Sequence, residues 1–591
     1  MGRLLYAVAA AAACCLPLAA QAAEPRASLQ GDLDPALRNR IQQAVGESDR
    51  SIENRFEARR RARTAAEDAM AVLRSEGYYA AVVEPDVSEA DPPRPLVRVT
   101  PGPRFLLGRA KLDWQGQPPD APTAERTIAA IALSPGAPGR AEDIVAAEGR
   151  ALATLRGRGY ADAEAEPRDV LVDHADDSVT PTFVIAAGPL VRLDGIDMRT
   201  DGRTNLAWLR NLAPWTAGDA YNPTDVAELE RRLLDTGVYQ SVTVALAPPE
   251  NATAAGERPV IVSLSERKRR TIEAGASYST TEGFGLDTRW LRYNLLRRAD
   301  TLTLSARLST LDGRLGADLS LPHWRRADQT LHTGVSVYRL STDAYDETGA
   351  GVRADVTRRY GKTSYVILGA SVDAGRSTEL TPGTLSTLGR DIVTFAGLGE
   401  VRLDRSDDPL APRRGWRVSG RLEPTVIVGE TNLPYLRVVV QGSAYQSLDK
   451  AGHTVVAERV RVGRIINGTL FQIPASQRFY AGGGGSVRGF GYQGVGPQLS
   501  DGTPQGGLSL FESSAEVRRD LTPHWGVAGF VDAGAIGSNG PVDFRHLAVG
   551  AGVGVIYTLG IVPIRVDVAT PVSNRRGAGA FQLYISIGQS F

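Results

Sequence analysis

From Arg270 to the carboxyl end, apolar residues recur at every second position, a period that fits strands and not helices. Leu302, Leu304, Ala306 and Leu308 alternate with Thr301, Thr303, Ser305, Arg307 and Ser309. Leu547, Val549, Ala551, Val553 and Val555 alternate with Ala548, Gly550, Gly552 and Gly554. The final run sets Phe581, Leu583, Ile585, Ile587 and Phe591 on one face, with Gln582, Tyr584, Ser586, Gly588 and Ser590 on the other. An apolar outer face over a small or polar inner face is the pattern of a barrel strand, which crosses a bilayer in ~9–11 residues. Sixteen such runs follow Lys268, and the 324 residues from there to Phe591 allow about 20 per strand and turn. A closed cylinder satisfies every backbone group without water, which an open sheet in lipid cannot do. A soluble sandwich would alternate as well; the aromatic Phe591 ending the last strand favours the membrane, as does an export signal at the other end of the chain.

That signal is read in residues 1–23: Arg3 supplies positive charge, Leu4 to Leu18 is apolar, and Ala20-Gln21-Ala22 offers a small-x-small cleavage site. Cys14 and Cys15, the only cysteines, fall inside it, so the remainder can form no disulfide. No later run of ~18 apolar residues exists to make a membrane-spanning helix.

Between the signal and the alternating region the grammar differs. Residues 1–267 hold 18 of the 63 glycines. One pattern occurs there three times: an amphipathic helix, a glycine with tyrosine close behind, then a strand. The copies centre on Leu73 to Gly77-Tyr78, Leu155 to Gly159-Tyr160, and Leu233 to Gly237 and Tyr239. Each glycine stands where a left-handed residue would end the helix, and Asn222-Pro223 reads as the start of the third helix. Second strands follow at Pro95–Val99, Pro181–Ile185 and Pro259–Leu264. A repeat near 80 residues of this make-up is a small α+β domain. The expected divisions are 24–102, 103–188 and 189–267, then a barrel over 268–591. The opening strand of the first copy is hard to find before Asn54.

Lys plus Arg and Asp plus Glu both total 67, so no net charge points to nucleic acid. The six histidines show no ligand spacing. No Gly-x-Ser-x-Gly is present, and the run Gly482 to Gly485 lacks the Lys-Ser/Thr of a phosphate loop. The expectation is no catalytic residue, no metal and no cofactor.

About 40 residues separate the strands ending near Arg464 and beginning near Gly507, and loops of that length are usually functional. This one contains Phe479-Tyr480-Ala481-Gly482-Gly483-Gly484-Gly485-Ser486-Val487-Arg488-Gly489-Phe490. Glycines allow close backbone approach, and an arginine can fork onto a carboxylate. Strand parity in Leu508–Arg518 and Gly526–Gly534 turns Glu516 and Asp532 inward. Two readings stand: Arg488 docks on Asp532 with Glu516 adjacent, or each charge lines a wet lumen.

The Val487-Arg488-Gly489-Phe490 loop resembles the signature loop of the outer-membrane insertases and transporters of the BamA/TamA/FhaC superfamily. Phe530-Val531-Asp532-Ala533-Gly534 is similar to that group's second barrel motif, and Asp404 to Trp416 to its mid-barrel turn. The three repeats resemble its periplasmic POTRA domains, each β-α-α-β-β. Three of them in 591 residues look most like the TamA branch. The resemblance implies a sixteen-stranded antiparallel barrel in the outer membrane of a Gram-negative bacterium. It implies a lumenal loop pinned through Arg488, and a side gate between the first and last strands, where Gly588 and Phe591 lie. It further implies insertion of autotransporters and other unfolded barrel clients into outer-membrane lipid, with a periplasm-spanning, TamB-like inner-membrane-anchored partner on the POTRA domains. A two-partner secretion pore passing unfolded polypeptide is the alternative; a passive porin would need no repeats.

Overall fold

The computed structural model describes residues 24–48, 52, 54–279, 283–361, 363–381, 386–429, 432–559, 562–573 and 579–587. Two-residue segments aside, the first repeat comprises β1 (Ser28–Gln30), α1 (Pro35–Val45), α2 (Arg55–Ser75), β2 (Val82–Val87) and β3 (Pro95–Thr100). The second comprises β4 (Lys111–Trp114), α3 (Ala121–Ile131), α4 (Ala141–Arg156), β5 (Asp169–Asp173) and β6 (Ser178–Ala186). The third comprises β7 (Leu193–Thr200), α5 (Leu206–Arg210), α6 (Pro223–Asp235), β8 (Tyr239–Leu246) and β9 (Arg258–Glu266). In all three sheets the last strand lies in the middle, in the order first, third, second. The opening strand missing from the sequence reading is β1. Three residues are too few to show an alternation, and only pairing with β3, parallel at Leu29 and Val97, defines it.

The helix ends follow from local chemistry. Gly77, Gly159 and Gly237 take φ of 93°, 100° and 69°, the left-handed region that a side chain disfavours. Beyond the first two, the Tyr78 and Tyr160 amides reach back to the carbonyls of Leu73 and Leu155 at 2.8 and 3.1 Å. The Asn222 side chain accepts from the Thr224 amide at 3.0 Å at the start of α6.

From Arg270 onward sixteen strands form one antiparallel meander in which each pairs with its sequence neighbours. They are β10 (Arg270–Ser279), β11 (Gly283–Tyr293), β12 (Thr301–Ser309), β13 (Asp312–Leu321), β14 (Gln329–Ser341), β15 (Tyr345–Tyr360), β16 (Ser364–Leu380) and β17 (Thr387–Asp404). There follow β18 (Gly415–Gly429), β19 (Leu433–Ser447), β20 (Thr454–Ile466), β21 (Ser509–Asp520), β22 (Trp525–Gly537), β23 (Ala548–Leu559), β24 (Val562–Ser573) and β25 (Gln582–Ile587). The outward face is apolar and exposed, as at Leu304, Leu308, Val352, Leu368 and Val553. β10 and β25 approach within 8 Å between Cα atoms, but among the described residues no ladder pairs them.

The turn after β13 is tied to α6. The His323 ring binds the Arg232 carbonyl at 2.9 Å through Nε2 and accepts the Asp328 amide at 3.2 Å through Nδ1. Both bonds are met by the neutral ring, and burial holds the imidazole below its ordinary value of 6.5. The folded protein therefore takes up this proton at lower pH than the unfolded chain. The contact is at full strength above about pH 6.5 and weakens as pH falls below it. Hydrogen exchange at Leu321–Gln329, corrected for intrinsic rate, should be faster at pH 5.5 than at pH 7.5. Equal protection at the two values would refute this.

Candidate functional site

The inner face of β21 to β25 carries charge. On β21, Ser514, Glu516 and Arg518 are buried while Ala515 and Val517 are exposed; on β22, Phe530 and Asp532 are buried between exposed Gly529 and Val531. On β24, Arg565 and Asp567 are buried beneath the exposed Val566 and Val568. Between them β23 turns Gly550, Gly552 and Gly554 inward. A Cβ on these would strike, respectively, the Arg488 carbonyl, the Phe530 ring and the Asp567 carboxylate. The strand is bare where the loop and its partners need room.

The loop after β20 folds back into that space. Phe479, Ala481, Val487, Phe490 and Val495 pack with Ile465, Leu508, Leu510, Ile536 and Ala548 in one buried cluster. Gly482, Gly483 and Gly489 take φ of 109°, 102° and 99°. Gly489 lies against the Thr570 backbone, where a side chain would not fit.

Arg488 is 2% exposed and its partners Asp532 and Glu516 are 0% and 1%. Its Nε and Nη2 fork onto the two Asp532 oxygens at 2.6 and 2.9 Å, and its own amide adds a third bond to Asp532 at 3.1 Å. Nη1 reaches Glu516 at 3.1 Å and Asp567 at 3.0 Å. The guanidinium carbon stands 3.3 Å from the centre of the Phe530 ring, in cation–π contact. Arg565 forks onto Glu516 at 2.6 and 2.8 Å, its Nε donates to Asp567 at 2.7 Å, and Arg518 meets Glu516 at 2.6 Å. Three guanidinium groups thus face three carboxylates. Buried charges are tolerable only when paired and hydrogen-bonded in this way.

Val487 is fully buried in the apolar cluster, and Phe490 nearly so. The last strand joins through Tyr584. Its hydroxyl accepts the Gly489 amide at 3.1 Å and donates to the Phe490 carbonyl at 3.0 Å. Gly588 and Phe591, placed by sequence at the side gate, lie outside the described residues. Sequence reasoning did not single out Asp567, Arg565 or Tyr584. The alternation Val562 to Val568 already turned Arg565 and Asp567 inward, and parity did the same for Tyr584. Replacing Tyr584 by phenylalanine keeps the ring and strands the Gly489 amide. We expect about 1–3 kcal/mol lower stability, read by denaturant unfolding in detergent, and no change would remove Tyr584 from the latch.

The arrangement positions and holds the loop against the barrel wall. Among the described residues no group of His, Cys, Asp and Glu could hold a metal ion.

Comparison with known proteins bears on the family and the fold. The model of the Omp85 superfamily domain matches residues 294–591. The outer membrane protein assembly factor BamA of Nitratidesulfovibrio vulgaris is 24% identical over 413 residues, 68% of this chain and 50% of that protein. BamA of Neorickettsia risticii is 21% identical over 448 residues, 72% of this chain and 58% of that protein. The chain therefore spans half to three-fifths of the length of these curated relatives. The crystal structure of Haemophilus ducreyi BamA lacking POTRA domains 1–3 is similar in fold, with a TM-score of 0.65 at 17% identity, covering 82% of this chain and all of that one. With sixteen strands, repeats of POTRA order and a family model over half its length, the chain belongs to the Omp85 superfamily, as an outer-membrane β-barrel with periplasmic POTRA domains.

Proposed function

We propose that this protein inserts unfolded barrel proteins into the outer membrane, as the outer-membrane component of a TamA–TamB-like translocation and assembly module. The observation that supports the reading is the seam: β10 and β25, the first and last strands of the sheet, approach within 8 Å between Cα atoms. Unpaired edges recruit strands. A client strand adding at β10 or β25 satisfies its own backbone there, and its apolar face gains lipid. The latch bears on this seam because Tyr584 of β25 is bonded to the loop. Gly588 and Phe591 belong to the same gate, and Val487 to Phe490, Asp532 and Glu516 set its resting state.

The repeats, bounded as 24–102, 103–188 and 189–267, offer further edges. Among the described residues β2 and β5 each pair on one side only, with Val82 and Leu171 exposed. Extended segments of clients, or of a TamB-like partner, would add there as strands. Autotransporters are the first clients to examine.

Depletion in the native host, followed by quantification of the outer-membrane proteome, tests the reading. Autotransporters and other barrel proteins should fall severalfold while outer-membrane lipoproteins hold steady. Loss of one large secreted protein from the medium, with barrel proteins unchanged, would instead support a two-partner secretion pore.

A further inference from the structure

Two successive periplasmic turns carry the same four residues. Arg297-Arg298-Ala299-Asp300 joins β11 to β12, and Arg325-Arg326-Ala327-Asp328 joins β13 to β14. Both turns bend through left-handed residues, with φ of 64° at Arg297 and 61° at Arg325. In the first, Asp300 is buried and caps the Leu295 and Leu296 amides at 2.9 and 2.8 Å. In the second, Asp328 is taken by Arg231 at 2.8 Å. The acids are thus consumed locally while all four arginines are exposed. Among the described residues no carboxylate lies within 4 Å of Arg298, Arg325 or Arg326.

These turns and α5 enclose a cleft of about 620 Å³. Trp208, Leu296 and Trp324 supply its apolar lining, and Arg298, Arg325 and Arg326 its charge. The Arg325 guanidinium stacks on the Trp324 ring at 4.4 Å. The level in the membrane is set by aromatic residues at the same end of the barrel: Trp416, Trp525 and Tyr360 are exposed beside their turns, as in the belts that sit among lipid headgroups. Basic residues continue around this rim at Arg267, Lys268, Arg269, Arg270, Arg358 and Arg359, all exposed. The opposite turns at 310–311 and 342–344 contain no lysine or arginine.

We propose that this cleft binds the phosphate headgroup of an anionic phospholipid from the periplasmic leaflet. Arg298, Arg325 and Arg326 take the phosphate, and the two tryptophans take the glycerol and upper acyl carbons. Arginine suits the role because its fork matches phosphate and it gives up water more readily than lysine. A headgroup seated between α5 and two barrel turns would hold the third repeat at a fixed height against the membrane. The inference rests on the outer-membrane position of the barrel and not on its role in assembly.

The test uses the full chain in detergent with three soluble probes: dihexanoyl-phosphatidylglycerol, dihexanoyl-phosphatidylcholine and inorganic phosphate, at constant ionic strength. Calorimetric binding should favour phosphatidylglycerol over the other two. The variant Arg298→Gln/Arg325→Gln/Arg326→Gln should bind it about tenfold or more weakly. The single variants Arg298→Gln and Arg326→Gln should each lose severalfold, which decides the matter should the triple variant fold poorly. Equal binding of phosphatidylglycerol and phosphatidylcholine, equal binding of phosphatidylglycerol and inorganic phosphate, or unchanged affinity in the variants would overturn the proposal.

Discussion

Arg488→Ala should free the loop and cripple the protein. The substitution leaves Asp532 without its fork and Glu516 and Asp567 short of a cation, all in a site closed to water. Breaking a buried pair from one side costs about 3–5 kcal/mol, because the remaining charge stays buried and uncompensated. New protease cuts should appear between Gly468 and Gly507, the midpoint of unfolding in denaturant should fall, and client assembly should drop with them. Arg488→Lys should sit between the two, since a lysine keeps the charge but cannot make the fork or stack as well on Phe530. An alanine variant with native protease resistance and native assembly would show that the cluster is only lumen lining.

Closing the seam should stop insertion without unfolding the barrel. Cysteines introduced along Thr271–Ala276 of β10 and Gln582–Ile587 of β25 can be scanned for disulfides. Cys14 and Cys15, the two cysteines of the sequence, are first replaced by serine so that the introduced pair is the one that oxidises. The oxidised pair should lower client insertion about tenfold or more, and reductant should restore it. A locked seam with full activity would transfer the argument to passage through the lumen.

Much of the barrel could be read before any coordinates, because a period of two leaves each residue one of two faces. Parity alone turned Glu516 and Asp532 inward, and both are buried. Leu304, Val531 and Val553 were set outward by the same rule, and they are exposed. Positive φ at Gly77, Gly159 and Gly237 was legible because a helix that runs into a glycine commonly ends there in a left-handed residue. What escaped is non-local. β1 is three residues that become a strand only through β3. Asp567 meets Arg488 across 79 residues, and Tyr584 binds backbone atoms 94 and 95 residues away. Parity could turn those side chains inward but could not say what they would meet. The bare inner face of β23 carried a signal: Gly550, Gly552 and Gly554 in succession announce that something must lie close against that wall.

The docking of the loop is tested most directly by a double-mutant cycle between Arg488 and Asp532, using Arg488→Ala, Asp532→Ala and the pair, unfolded in denaturant from detergent. The account predicts a coupling of about 2 kcal/mol or more, with the double variant less damaged than the sum of the singles. Additivity within about 0.5 kcal/mol would mean that the two residues do not hold one another, and the latch would have to be abandoned.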